Sequence, residues 1–580
     1  MRQFRVFSST IRTWWLLVAL GLLPVLHPFT AFGESPAAGH PPTTATDAGP
    51  LRLRLRYQVE TAPGSGRFHR FSRSETWDPR QTAIIVCDMW DSHTSVNAVR
   101  RVNELAPRLN RVLHAARRRG VTIIHAPSGC MDAYAAHPAR LRARRVPDSK
   151  PFPKDIGSWC HRIPAEDKLP YPIDQSDGGR DDDPEEHALW VERLKALGRN
   201  PNRPWLRESP LIDIDAEVDF ISDDGREIWN ILKHRGIRNV ILTGVHTNMC
   251  VLGRPFGLRQ MVRNGFHTVL MRDMTDTMYN PQRRPFVSHF TGTDLIIDYI
   301  ERCVCPTITS DQFVGGRPFR FSADLRPHLV CVIAEDEYET ERTLPEFALR
   351  HLGWDFRVSF VFGSEKERNR IPGLEAVRDA DVLMLSVRRR ALPEGDLAII
   401  RRHVALGKPV CGIRTASHAF ALRGKSELPA GHAVWPEFDA EVLGGNYQGH
   451  YSNAVSSVVQ VLPEAAQHPI LAGITETTWP QGGSLYKNAP LRPGARALLI
   501  GRGENGQREP VAWVFLRANG GRSFYTSLGH KDDFRNPAFT TLLYNALLWL
   551  ADRPSRTADG SPDRVAGRQE AGKSTVGQAE

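Results

Sequence analysis

The chain has 580 residues, a mass of 65.1 kDa and a formal net charge of +10, with 41% hydrophobic and 24% charged residues. At roughly 100–200 residues per domain that length allows two to four domains, and the composition excludes a disordered or collagen-like chain. Eight Cys are too few for a disulfide scaffold. Basic and acidic residues are mixed, with no zinc-knuckle spacing and no aromatic-interleaved basic strand, so the charge reads as a solvated surface rather than a nucleic-acid interface.

At the N-terminus Arg2, Arg5 and Arg12 precede the 13-residue apolar run WWLLVALGLLPVL at 14–26. That length suits a signal h-region and is short of the roughly 20 residues a membrane span needs. Ala31-Phe32-Gly33 sets small residues around a cleavage site. The expectation is a signal peptide over 1–33, a linker at 34–50, and an exported chain, periplasmic or extracellular, free of the membrane after cleavage. Loss of Arg2, Arg5 and Arg12 takes the charge from +10 to about +7. Export would permit a bridge between Cys130 and Cys160, but spacing assigns none.

From 51 to 320 the sequence alternates strand and helix. Strands are expected at 82–87 (TAIIVC), 121–125, 239–243 (NVILT) and 267–271. Helices fall between them, through Val102, Leu105, Leu109 and Val112, through Ile228, Ile231 and Leu232, and at 258–262. An insertion at 126–210 is rich in Pro and Asp, and reads as a lid, an interaction element or a disordered excursion. Its acidic run SDGGRDDDPEEH reads as solvated and lacks the Gly-centred spacing of a calcium loop. A second rhythm fills 327–553, with strands at 329–334, 358–361, 382–385, 409–413 and 523–526 and a last helix at 539–550. A disordered tail is expected over 554–580. The fold class is α/β: two three-layer α-β-α domains with mainly parallel sheets.

Reactive groups of open α/β sheets gather at the carboxyl ends of strands. Asp88 ends the first strand, and Cys250 follows the strand NVILT through GVHTNMC, at the start of a helix. A helix start lowers a thiol pKa and offers N–H groups to an oxyanion, so Cys250 is expected as a reactive thiolate. Trp90 and His93, just after Asp88, are expected to line the pocket. His125, Asp132 and His137 are scattered without metal-ligand spacing, so no metal and no cofactor is expected.

These residues resemble the isochorismatase-like cysteine hydrolases, which include nicotinamidases and N-carbamoyl amide hydrolases. The likeness runs over about 82–308 apart from the insertion, and its most specific part is GVHTNMCVLGRPFGLRQMVRNGFHTVLMRDMTD. It implies a six-stranded parallel sheet and an Asp–Lys–Cys triad. Cys250 would attack a carbonyl, Asp88 would take its proton, and the bond between Val245 and His246, often cis in the family, would shape the oxyanion hole. The family Lys sits about 40 residues before the nucleophile, where this chain reads RPWLRESPLIDIDAEVDFISDDG without a Lys. Arg207 is the nearest cation there, Asp215 or Glu217 lies closer to the family position, and Lys233 is expected on the wrong helix face.

The second half resembles ThuA-like (trehalose-utilisation) proteins, whose fold is similar to flavodoxin-like class I glutamine amidotransferases. GKPVCGI (407–413), GGNYQGH (444–450), HPILAGI (468–474) and YTSLGHKDDFRNPAFTTLLYNALLWL (525–550) carry the likeness. The turn where amidotransferases place a Cys reads RTASH at 414–418, and Cys411 lies inside the strand, so glutaminase chemistry is not expected. Arg414, His418, His450, Tyr486 and His530 are expected to converge on a carbohydrate or another polyol, and Ser417 beside His418 is no sign of a triad. The sequence therefore reads as a hydrolase of an amide or related C–N bond joined to a sugar-associated domain. The alternative is a non-catalytic carbohydrate-related binding protein with a degenerate hydrolase domain. A small-molecule substrate and a homo-oligomer are the expected partners.

Overall fold

The computed structural model describes residues 49–424 and 426–554. The expected leader over 1–33, most of the linker at 34–50 and the tail from 555 onward lie outside the described residues. Among the described residues no helix is long and apolar enough to cross a membrane.

The first lobe is built on an eight-stranded sheet. Leu51–Glu60 (β1) and Phe68–Trp77 (β2) form an antiparallel hairpin. Thr82–Cys87 (β3), Thr122–Ala126 (β4), Phe220–Ile221 (β5), Asn239–Val245 (β6), His267–Asp276 (β7) and Thr307–Ile308 (β8) follow. The order is β2-β1-β8-β7-β6-β3-β4-β5. β8 through β5 in that order are parallel, which is the six-stranded sheet the family resemblance implies. The hairpin adds two strands beyond it, joined antiparallel where Arg56 faces Thr307.

Helices cover both faces, which is why β3 is buried at every position and apolar after Thr82. Helix Val96–Arg118 is capped by the Ser95 side chain, which accepts the Ala98 N–H. It lays Val102, Leu105, Leu109 and Val112 against Ile84 and Val86. On the other face Ile228, Ile231 and Met261 from helices Gly225–His234 and Leu258–Arg263 meet Ile85 and Leu242.

The insertion is folded. It contains helices Pro138–Arg145 and Pro184–Ala196 and is tied down by charge. The acidic run is not solvated as expected, because its carboxylates find donors in the first lobe. Asp181 pairs with Arg101 at 2.8 Å, and Asp182 accepts from the Ser95 hydroxyl and the Asn97 N–H. Glu166 is fully buried, receives Arg259 in a forked pair at 2.7 and 2.9 Å, and accepts from the Tyr299 hydroxyl at 3.0 Å. Cys130 and Cys160 are both free thiols.

The second lobe carries His328–Ala334 (β9), Arg357–Phe362 (β10), Val382–Val387 (β11), Leu392–Pro393 (β12), Val410–Ile413 (β13) and His432–Ala433 (β14). Ser457–Val461 (β15), Thr478–Pro480 (β16), Ala495–Gly503 (β17), Arg508–Leu516 (β18) and Arg522–Thr526 (β19) complete it. Nine of these strands form one sheet, β10-β9-β11-β13-β19-β18-β17-β15-β16, while β12 and β14 make a separate ribbon. The first five are parallel, as expected, and the rest extend the sheet antiparallel. A tight turn suffices to join β17 to β18, so that half needs no crossover helix. Helices Pro537–Leu550 and Glu394–Ala405 cover opposite faces. β2 and β10, the end strands of the two sheets, meet between the lobes, where the Arg70 guanidinium donates to the Ser359 hydroxyl at 2.9 Å.

Candidate active site

Three parallel strands of the first lobe end together. The Asp88 N–H donates to Ala126 at the end of β4, and β6 runs beside β3 with Gly244 opposite Cys87. Gly244 is required there, since a Cβ would stand 2.0 Å from the Cys87 carbonyl oxygen and its φ is +96°. Asp88 itself is left-handed at φ +48° and fully buried. A non-glycine residue in that region costs free energy and marks a position held for its side chain.

Asp88 Oδ1 accepts the Ser128 N–H at 2.8 Å, and Oδ2 accepts from Arg254 Nε at 3.0 Å. A second Arg254 nitrogen, Nη2, also lies 3.0 Å from Oδ2, and the Cys250 thiol is in hydrogen-bond reach of the same carboxylate. Arg254 is therefore the cation the sequence reading missed. The upstream residues nearest the family position, Arg207, Asp215 and Glu217, are all exposed. Lys233 lies over the Trp229 ring at 4.9 Å. The signal was spacing: Arg254 is four residues after Cys250, one helical turn on, and its N–H bonds the Cys250 carbonyl.

Electrostatics correct a second expectation. Cys250 follows the helix start as anticipated, yet burial, reinforced by the Asp88 charge, pushes its pKa up rather than down. Arg254 and the His246 N–H offset only part of this. Burial likewise raises Asp88, opposed by Arg254, the thiol and Ser128. Burial thus raises both partners of the pair, while Arg254 favours the charged form of each.

The Val245–His246 bond is cis. The Val245 side chain packs into the core beside Ile84 and Val86, because β6 side chains alternate between faces, which leaves the backbone of this pair to the site. Trp90, His93 and His246 do assemble as an aromatic wall. Trp90 stacks on Trp205 at 4.6 Å, and His93 meets His246 edge-on at 4.9 Å. Burial lowers His93 to about 4 and His246 well below its usual value, so both rings are neutral near pH 7. Trp205 comes from the insertion, as does Trp159, whose ring lies 4.8 Å from the Arg254 guanidinium carbon. Neither tryptophan stands in a motif that announces it.

His125, weighed as a metal ligand, is fully buried between Glu208 at 2.8 Å and Asp219 at 3.1 Å. Among the described residues no cluster of His, Cys, Asp or Glu has metal-binding geometry. Burial alone would lower His125, but the two carboxylates outweigh it and lift the pKa to about 9. His289 is raised to about 9 in the same way, with Asp276 and Asp181 overcoming burial and Arg101. A raised histidine stabilises the fold fully below its unfolded pKa near 6.5 and loses that contribution as pH rises through 9. Stability is therefore expected to fall between pH 6.5 and 9, by on the order of 1–3 kcal/mol per histidine. The fall should be shallower in His125→Gln, as followed by circular dichroism.

In the second lobe the expected residues gather at the carboxyl edge of β9, β11, β13 and β19. Arg414 directly follows β13, is left-handed at φ +44° and is 1% exposed. Its guanidinium carbon lies 4.1 Å from the Tyr338 ring centre and 4.9 Å from that of Tyr486. His418 stacks on Tyr447 at 4.5 Å, and burial with Arg389, Arg388 and Arg414 nearby lowers it to about 3. Ser417 Oγ is 3.1 Å from His418 Nδ1. His530 lies 5.9 Å from Tyr338, while His450 is exposed at the rim, 6.3 Å from Tyr486. Tyr338 and Tyr447 were missed. Tyr447 lies inside the motif at 444–450, whereas nothing local marks Tyr338.

A family model described as "ThuA: Trehalose utilisation" matches residues 372–550, and this stretch is a ThuA-like domain. Among solved structures, a ThuA-like protein from Bacteroides uniformis is 15% identical, with 42% of this chain and 98% of that chain covered at a TM-score of 0.30. A cysteine hydrolase from Pseudomonas syringae is 17% identical, with 40% and 91% covered at a TM-score of 0.25. N-carbamoylsarcosine amidase from Thermoplasma acidophilum is 12% identical, with 35% and 87% covered at a TM-score of 0.19. No curated protein matches the chain.

Proposed function

We propose that the first lobe hydrolyses a small amide or related C–N bond through Cys250, and that the second lobe binds a sugar-like ligand. The observation that carries the first half is the Asp88 carboxylate, held by Arg254 within reach of the Cys250 thiol. Asp88 is the group hydrogen-bonded to the thiol and so moves the proton, while burial lowers His93 and His246 and makes them poorer bases. Asp88 takes the thiol proton as sulfur bonds to the carbonyl carbon, and returns it to the departing nitrogen as the C–N bond breaks. Water, giving its proton to Asp88, then cleaves the thioester to the acid and restores the thiol. N–H groups at the turn after β6 face the developing oxyanion. The leader reading adds export to this proposal.

Ammonia release from primary amides and N-carbamoyl amides tests it, with mass spectrometry for an acyl adduct on Cys250. Turnover that vanishes in Cys250→Ser, together with such an adduct, is the expected result. No release and no adduct from any amide would leave the second reading, a binding protein with an idle hydrolase lobe. That reading is favoured by the burial that keeps the Cys250 thiol protonated.

A further inference from the structure

The carboxyl edge of the second sheet holds three left-handed non-glycine residues: Glu339 at φ +56°, Arg389 at +47° and Arg414 at +44°. They follow β9, β11 and β13, so three adjacent strand ends each carry backbone strain. Two of the three are arginines, and neither has a carboxylate of its own. Arg414 Nη1 donates to the Ser527 carbonyl at 2.8 Å, while Nε and Nη2 are buried with no acceptor. The acid acting on it, Asp533, has its oxygens committed to the N–H groups of Gly482, Gly529 and His530. Arg389 donates to the Leu422 carbonyl at 3.2 Å and feels the like charges of Arg423 and Arg388. Arg388, by contrast, pairs with Glu337 and Asp336. The Tyr338 ring centre lies 4.1 Å from the Arg414 guanidinium carbon, with its hydroxyl in hydrogen-bond reach of that side chain, His418 stacks on Tyr447, and the field of both arginines acts on Tyr447 and His418.

A buried guanidinium with two unmet donors is costly unless an acceptor reaches it. A forked guanidinium matches a carboxylate or phosphate, and flat rings beside it offer a face to an apolar or ring-shaped body. Gly483 lets the chain pack directly on this guanidinium, since a Cβ there would stand 2.5 Å from Arg414 Nη2. We infer that the ligand of the second lobe is an anionic sugar-like molecule, whose carboxylate or phosphate is taken by Arg414 and Arg389 while its ring lies against Tyr338, Tyr447 and His418. This deepens the sugar-binding half of the proposed function and rests on it. It is independent of turnover at Cys250.

Isothermal titration calorimetry of the full chain tests it with four probes: glucuronate, glucose 6-phosphate, glucose and inorganic phosphate. At least one of the two acids is expected to bind about tenfold or more tightly than glucose, with the advantage shrinking as salt is raised. Which acid binds better separates a carboxylate from a phosphate. In Arg389→Gln, half-buried and so safer for folding than Arg414→Gln, the preference should fall to about twofold or less. Glucose binding as tightly as both acids, or an unchanged preference in Arg389→Gln, overturns the anion site. So does the absence of binding by all four probes. Phosphate binding without any sugar binding would uphold the anion site and overturn the sugar reading beneath it.

Discussion

Arg254→Gln is expected to lower kcat/KM for amide hydrolysis by about 10²–10³-fold, the scale of a lost general base. Asp88 is wholly buried, and burial already raises its pKa. Without the guanidinium 3.0 Å away, burial is opposed by less, so Asp88 holds a proton to higher pH and becomes a poorer acceptor for that of Cys250. The same change moves the acidic limb of the pH–rate profile upward, which a merely structural role for Arg254 would not do. Arg254→Lys, which keeps the charge but not the fork, should recover part of the rate with the limb near its original place. Steady-state kinetics from pH 5 to about 9 on the three proteins check both points, and an unshifted limb in Arg254→Gln would remove Arg254 from the mechanism.

Glu166→Ala is expected to destabilise the first lobe by about 3–5 kcal/mol. The cost comes less from the lost pair than from what remains, because Arg259 is left buried with its charge uncompensated and the Tyr299 hydroxyl loses its acceptor. Glu166 also accepts the Ile163 N–H, so the insertion loses its anchor to the helix that carries Arg259. In urea the transition of the first lobe should move to lower concentration while that of the second stays put. Two transitions are followed because a chain of this size need not unfold in one step. Proteolysis should concentrate between residues 150 and 180 in the variant, and a wild-type cleavage pattern would contradict this role of Glu166.

Much of the architecture was legible because buried parallel strands are written as continuous apolar runs. TAIIVC, NVILT and the run at 382–385 stand in the structure as β3, β6 and β11, within three residues at each end. β1 is written differently. In LRLRLR the leucines are buried and Arg52 and Arg54 exposed, a period of two that belongs to a half-covered antiparallel strand. Asp88 and Cys250 were legible because each closes such a run. Arg254 stands one helical turn after Cys250, but its part shows only once Asp88, 166 residues away, is brought to it; Trp159 and Trp205 were not legible, because their places depend on how the insertion folds. The insertion was opaque for a related reason. Its charges look solvated until Arg101 and Arg259 are brought to them, and no local pattern announces partners 80 to 93 residues away.

The meeting of β2 with β10 bears on how the chain can be divided. β2 carries His69, Arg70, Arg73 and Glu75, the charged dress that discourages an end strand from recruiting strangers. β10 reads RVSFVF and carries little such protection beyond its first residue. What shields it is the neighbouring lobe, through Arg70 on Ser359. Cut away at residue 327, the second lobe would offer a bare apolar strand to any other chain in solution, and aggregation would follow from the excision itself. In the intact chain that edge is covered by the first lobe, so the two lobes are better handled as one unit than apart.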